Sequence, residues 1–307
     1  MKKTAFLLVL VSLTVISCKS NYTRIGAKDA NYIPYYLKVY KADSLFIVKD
    51  YQRSFEILDS LFKRYEPINM EVYKEYETYL IASYFTKQKQ KEINEILKNS
   101  FIKYGSTISI FEDDTLMLDL LKKSKYRKKD LLAFNKVYNK KLNKELRSLI
   151  ENIVAADQNC RLKKPIDLEE LSKVREENNE KIKFVYEKYG YPSSRKIGYE
   201  ELNQKSINLS AVLLHCDADF LENYLLEKMK FYLIKGEVLP YNYAGVYDKY
   251  LISFYGEKQM YGTFLNSKNE LVSLVNESKL DSIRKSVGLN NINYQKWRLK
   301  AKYGYEY

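Results

Sequence analysis

Hydrophobic residues recur at every third or fourth position along most of this chain of 307 residues. Such spacing, on stretches closed by glycine or proline, is typical of amphipathic helices. One long helix is predicted from Lys129 to Arg161, and a second from Asp167 to Gly190. Four shorter helices are predicted at 200–215, 219–235, 241–254 and 281–287. The chain is therefore expected to be mainly α-helical.

A repeat of 39 residues organises the region 32–108. The segment 54–65 aligns with 93–104, so that Ile57 matches Ile96 at an offset of 96 − 57 = 39, and four neighbouring positions match at the same offset. The period predicts two helical hairpins that resemble tetratricopeptide repeats, although it exceeds their usual ~34 residues. About three repeats are needed to bury a continuous core, so these two are expected to pack on the rest of the chain.

The remainder of the chain, 109–307, is expected to form a helical domain of unknown function. Apolar and polar residues alternate at 260–265 and at 270–275, and the polar residues 266–269 join these stretches. Alternation on both sides of a short polar turn predicts a β-hairpin. The expected fold is thus a pair of helical hairpins followed by a helical domain with one small β-hairpin.

The N-terminus has the features of a signal peptide. Two lysines precede an apolar stretch at 5–16, which is too short to span a bilayer comfortably. The sequence Val-Ile-Ser-Cys that ends at Cys18 resembles the bacterial lipobox, and this resemblance implies removal of 1–17 and attachment of diacylglycerol to the Cys18 sulfur. The polar stretch 18–31 would then be a lipid-anchored tether. An ordinary secretory signal with an incidental cysteine is the alternative.

The same N-terminus predicts a location and partners. Lys19 follows the cysteine at the position where inner-membrane lipoproteins often carry Asp, which favours the outer membrane of a Gram-negative bacterium. The chain is expected to be bound to the membrane through Cys18, on a side that the sequence leaves open. The helical hairpins offer a surface for a protein partner in the cell envelope.

Composition excludes several classes of function. The net charge is +13, or 52 − 2 − 39 = +11 without the two lysines of the signal peptide, but the lysines alternate with acidic residues along helices, so no nucleic-acid partner is expected. A single histidine excludes HExxH and three-histidine zinc sites. The glycine-rich loops that bind phosphates or dinucleotides do not occur, and no cofactor is expected. Cys160 and Cys216 could form a disulfide or could be two buried free thiols, and the sequence does not decide between them.

Charges at the end of an apolar stripe are the clearest anomaly. The stripe of the long helix continues into Asp157 and Arg161, which are four residues apart and therefore neighbours on a helix. They can pair with each other or converge on a polar ligand. The following helix carries Asn178 inside its apolar stripe, and a buried amide needs partners such as Asp157, Arg161 or Gln158.

The only histidine, His215, is the second candidate for chemistry. Asp217 and Asp219 follow it closely. His215 with Asp219 one turn later suits a general base and the carboxylate that orients it, or a weak pair of metal ligands. A histidine at a helix C-cap or in the core is the alternative.

Polar motifs follow one another in a fixed order between about 140 and 295. They are Asp157-Gln158-x-x-Arg161, Tyr189-Gly190-x-Pro192, His215-x-Asp217, Asp248, Gln259-x-Tyr261-Gly262-Thr263 and Arg284-x-x-x-Gly288. This order resembles a bacterial lipoprotein domain family of unknown function. The resemblance implies that these positions form one polar centre, but it supplies no reaction. Lys249 and Phe264 stand where the family usually has arginine and glutamine.

The sequence leaves two functions open. The first is a binding or interaction protein of the cell envelope. Its binding residues would be Gln158, Arg161, Asn178, Asp217, Asp248, Gln259, Tyr261 and Thr263. The alternative is an envelope enzyme with acid–base or hydrolytic chemistry, in which His215 and Asp157 are the catalytic residues. The sequence indicates no nucleophile for such an enzyme.

Overall fold

The computed structural model describes residues 22–108, 115–199, 207, 209–267 and 270–304, and within them the fold is mainly helical, as predicted. The signal peptide, Cys18 and half of the predicted helix 200–215 lie outside the described residues. The helices are α1 Ile33–Ile47, α2 Tyr51–Phe62, α3 Glu75–Phe85, α4 Gln90–Tyr104, α5 Thr115–Lys123, α6 Lys128–Lys141, α7 Lys144–Leu162, α8 Leu168–Tyr189, α9 Ser194–Ile197, α10 Leu209–Leu213, α11 Ala218–Phe220, α12 Leu226–Ile234, α13 Pro240–Tyr255, α14 Leu280–Ser286 and α15 Tyr294–Tyr303. A π-helical turn, Leu221–Leu225, joins α11 to α12.

The 39-residue repeat is visible as two helical hairpins, α1–α2 and α3–α4. Their second helices begin at Tyr51 and Gln90, which are 90 − 51 = 39 residues apart. The first hairpin shares a large core with helices α7, α8 and α10 to α13, whereas the second shares a smaller core with α5 and α6. Phe62 and Tyr79 contact both cores. Each core therefore contains residues from both sides of position 108.

The residues that precede α1 lie against the body of the protein. Thr23 N donates to Arg64 O over 2.7 Å, and Gly26 N donates to Lys235 O over 2.9 Å. The predicted tether 18–31 is therefore not free along its length, because its residues from Thr23 onward are hydrogen-bonded to other segments. Its few apolar side chains contribute as well, since Ala30 is buried in the large core and Ile25 and Ala27 pack against it.

The predicted long helix from Lys129 to Arg161 is two helices, α6 and α7. Leu142 is buried in an extended conformation between them, and the Asn143 side chain accepts a hydrogen bond from Leu146 N over 2.9 Å. An asparagine in this N-cap position starts a new helix because it satisfies a backbone N–H that has no partner within the helix. The helix that follows, α8, has the predicted limits, with Asp167 as its N-cap and Gly190 after its last residue.

The predicted β-hairpin at 260–275 is reduced to two isolated bridges, Gln259 with Leu274 and Leu265 with Leu271. Side chains rather than a neighbouring strand take up much of the backbone hydrogen bonding in this loop, as described below. The C-terminal helix α15, which the apolar pattern did not predict, is held by a buried ion pair in which Arg298 Nε donates to Asp43 Oδ2 over 2.8 Å.

Candidate functional site

Asp157 is the centre of the first polar cluster. Its carboxylate, on α7, accepts hydrogen bonds from Arg161 Nε over 3.0 Å and from Gln158 Nε2 over 2.9 Å. His215 lies in the turn that directly follows α10, and its Nδ1 is 2.9 Å from Asp157 Oδ2. The carboxylate side chain is 4% exposed, whereas those of His215 and Arg161 are 28% and 29% exposed. A buried carboxylate thus holds two partly exposed basic side chains.

The predicted partner of His215 was Asp219, and the structure gives Asp157 instead. Asp219 Oδ1 accepts a hydrogen bond from Asn223 Nδ2 over 2.8 Å within its own helical segment. Burial alone would raise the pKa of the Asp157 carboxyl. The hydrogen bonds and charges of His215 and Arg161 outweigh burial, so the pKa lies below its ordinary value. Asp157 is therefore ionised at neutral pH and orients the imidazole through Nδ1.

A set of buried amides lies on α8. Asn178 Nδ2 donates to Ile153 O over 3.4 Å, so the predicted contacts of Asn178 with Asp157, Arg161 or Gln158 are replaced by a backbone contact with α7. Asn179 donates to the carboxylate of Asp217, whose other oxygen accepts from Phe220 N over 3.0 Å at the start of α11. Asp217 is therefore a helix cap and a link to α8.

The two cysteines are free and buried, and the structure decides the question that the sequence left open. Burial raises the pKa of the Cys216 thiol to about 12 and that of Cys160 above its ordinary value. Asp157 and His215 are therefore in contact without a disulfide, and neither thiol is activated as a nucleophile.

The second polar cluster closes the loop 259–264. Asp248, on α13, is fully buried, and its carboxylate accepts hydrogen bonds from Met260 N, Tyr261 N, Thr263 N and Thr263 Oγ1 over 2.7 to 3.0 Å. Gln259, also fully buried, donates to Phe264 O and Val272 O and accepts from Phe264 N. These side chains use the backbone groups that a β-ladder would need, which explains why no hairpin forms.

The two clusters are separate networks. Arg284 closes the second one, since it donates to Tyr261 O and, over 2.8 Å, to Asn290 O. Asp248, Gln259, Tyr261 and Thr263 thus bind the protein's own backbone. The polar positions that the sequence predicted as one centre divide into a sealed loop network and the partly exposed group of Asp157, Gln158, Arg161 and His215.

A cavity of about 330 Å³ lies elsewhere, where the helical hairpins meet the following helices. Its wall includes the last turn of α4, the end of α6 and the start of α9. Lys103, Lys141 and Arg195 supply cationic groups, and Ile68 and Ile102 supply apolar surface. His215 and Asp157 line neither this cavity nor a shallow groove of about 390 Å³ beside Trp297.

Tyr199 joins this cavity to a buried carboxylate. Its hydroxyl lies 2.9 Å from Asn69 Nδ2 and donates to Tyr104 O over 3.1 Å. Asn69 N donates in turn to Glu75 Oε1, which also accepts from Tyr35 Oη over 2.7 Å. Burial raises the pKa of Glu75 and outweighs the opposite effect of these hydrogen bonds, so that the pKa is about 7. Sequence reasoning missed this network because its members are up to 130 positions apart.

No family model matches the sequence, and no match was found among curated proteins or solved structures. The resemblance to a lipoprotein domain family therefore stays a prediction. Among the described residues, every helix is too short or too polar to cross a bilayer, and no group of three His, Cys, Asp or Glu side chains could hold a metal ion.

Proposed function

We propose that this chain is a lipid-anchored protein of the cell envelope that binds a ligand, with the cavity between the helical hairpins and helices α6 and α9 as its binding site. The cavity carries the proposal. Its volume of about 330 Å³ lies in the range of ligand sites, which is about 300 to 1,000 Å³. The lining combines apolar side chains with charged groups that can orient a ligand.

The anchor is supported by the sequence around Cys18. Radioactive palmitate labelling in Gram-negative cells should mark the full-length protein, and Cys18→Ala should abolish both the label and sedimentation with the outer membrane. An unlabelled wild-type protein would contradict the anchor.

Native mass spectrometry of protein purified from cell envelopes tests the cavity. Ile102→Trp fills it from α4, and Val137→Trp is the matched control because Val137 is 42% exposed on α6 and does not line it. A bound small molecule should be found on the wild type and on Val137→Trp, and should be lost from Ile102→Trp. The same mass on all three proteins, or no bound molecule on any, would contradict the proposal.

A second function, acid–base or hydrolytic catalysis, is favoured by one observation, the contact of His215 Nδ1 with buried Asp157. This contact fixes the tautomer and leaves Nε2 for a substrate. Arg161 competes for the same carboxylate, and no Ser, Thr or Cys of the described residues hydrogen-bonds to the ring. Turnover of chromogenic phosphate, carboxylate and sugar esters that disappears in a folded His215→Asn variant would establish the enzyme, and turnover that persists would exclude His215 as its base.

A further inference from the structure

The first described residues of the chain lie beside the rim of the cavity. Glu66, which lines the cavity, pairs with Arg195 over 2.7 Å, and its backbone N–H donates to Thr23 O over 2.9 Å. Burial and the charge of Glu66 raise the pKa of the Tyr22 hydroxyl, and the charge of Arg195 lowers it, so Tyr22, the first described residue, lies near both side chains. The segment that carries Cys18 therefore begins beside this rim.

The distance from this rim to the anchor is short. Cys18 precedes Tyr22 by four residues, and four residues span at most roughly 14 Å in any conformation. This step rests on the proposed function, since it requires an acyl chain on Cys18. With that anchor in place, the rim of the cavity is held next to the lipid headgroups.

The charge of the cavity suits an anionic group. Among the described residues, no carboxylate lies within ion-pair distance of Lys103 or Lys141, whereas Arg195 already has Glu66. Both lysines lie in the last turn of a helix, where the backbone carries roughly half a negative charge. Each lysine therefore leaves about half a positive charge at the cavity. Ile68 and Ile102 provide apolar surface beside these charges.

We infer that the cavity opens toward the membrane to which the chain is anchored and binds the phosphate group of an anionic lipid, with Lys103 and Lys141 as its cationic contacts and the isoleucines beside the glycerol and acyl region. A free phosphate ion shares the charge of this ligand but lacks its apolar part. The combined apolar and cationic lining therefore favours the lipid.

Sedimentation with vesicles tests this inference on the chain that begins at Lys19. This chain contains every described helix and both cores, but neither the apolar signal peptide nor an acyl chain. It should bind vesicles of equal parts phosphatidylglycerol and phosphatidylcholine, and should not bind phosphatidylcholine alone. In Lys103→Gln with Lys141→Gln, partitioning at about 0.1 M salt should fall about thirtyfold, since each lysine near an anionic surface strengthens binding roughly fivefold.

The matched control is Lys91→Gln with Lys129→Gln, which removes the same charge from the same two helices. Each control lysine is 12 residues, or about 18 Å, from its counterpart in the cavity, beyond the Debye length of about 10 Å at 0.1 M salt. Its partitioning should change less than about twofold. Equal losses for both pairs would overturn the inference, because they would reflect net charge alone.

Two further outcomes separate the possible ligands. Calorimetry with inorganic phosphate should show no binding, and binding of phosphate without a preference for anionic vesicles would overturn the lipid assignment in favour of a phosphate site. Absence of vesicle binding, together with a molecule retained in native mass spectrometry, would refute this inference and leave the proposed function intact. Vesicle binding in a protein that cells do not acylate would reject the anchor instead.

Discussion

Asp248 and Asp157 are both nearly inaccessible carboxylates, yet their partners differ. Asp248 accepts four hydrogen bonds from neutral donors of one loop. Asp157 is held by Gln158 and by two basic side chains that reach solvent, Arg161 and His215. The first arrangement fixes a chain conformation, and the second presents an imidazole and a guanidinium at the surface. Burial alone therefore does not distinguish a structural carboxylate from one that supports a site; the exposure of its partners does.

Asp248→Asn should have the largest effect on stability. The amide places N–H donors against backbone N–H donors, so at least one carboxylate oxygen and its bonds to the loop are lost. We expect the free energy of unfolding to fall by about 3 to 5 kcal/mol, measured by urea denaturation. Asp219→Asn, at an exposed position, is the control and should change it by less than about 0.5 kcal/mol. A loss below about 1 kcal/mol at Asp248 would remove the contrast between the clusters.

Glu75 extends the comparison to the helical hairpins, because it too is buried among neutral donors. Its pKa is about 7 in the folded protein against 4.5 for an unperturbed glutamate, so the fold favours the protonated form. The stability that this gives is complete below about pH 4.5 and is lost as pH rises through about 7, a decrease of about 3 kcal/mol.

Glu75→Gln should flatten this dependence. Melting temperatures of both proteins between about pH 5 and pH 8 would show it, with the exposed Glu176→Gln as the control. A wild-type protein whose stability rises over the same interval would show that the hydrogen bonds from Tyr35, Asn69 and Met70 outweigh burial.

Local signals made most of the fold predictable. Asp167 and Gly190 mark the ends of α8 in sequence and in structure, since a cap and a positive-φ glycine act within one turn. The 39-residue period predicted the two hairpins because each copy of the repeat carries the apolar spacing of its own helices. Asn143 shows the limit: it interrupts a helical periodicity that continues on both sides, and only its side-chain contact with Leu146 N reveals the break.

The candidate site was less predictable because its contacts are distant in sequence. Asp157 and Arg161 are one turn apart and could be paired from spacing, but the contact of Asp157 with His215 spans 58 positions. Gln259 and Asp248 carry the same polar signature as binding residues, although they bind backbone groups 5 to 15 positions away. The cavity has no motif at all, because it is formed where separate helices meet.

Asp157→Asn should have a smaller effect than Asp248→Asn. The Asn oxygen can still accept from Arg161, and the imidazole can change tautomer to accept from the Asn amide. We expect a loss of about 1 to 2 kcal/mol at neutral pH. Since the folded pKa of Asp157 is lowered, its contribution is present above about pH 3.9 and is lost as pH falls below that value. The two proteins should therefore converge in acid denaturation, and a difference that persists near pH 2 would contradict the charge assignment.

His215→Asn should have the smallest effect on the free energy of unfolding, and it should therefore differ most from Asp248→Asn. The Asn amide nitrogen occupies the place of Nδ1, so it can keep the hydrogen bond to Asp157 while Nε2 is lost. We expect the free energy of unfolding of His215→Asn to lie within about 0.5 kcal/mol of the wild type, whereas His215→Ala should lose about 1 kcal/mol. Both variants should retain the cavity ligand as the wild type does. A folded His215→Asn protein that loses the ligand would connect the imidazole to the cavity, because a group that merely held Asp157 would be replaced by the amide.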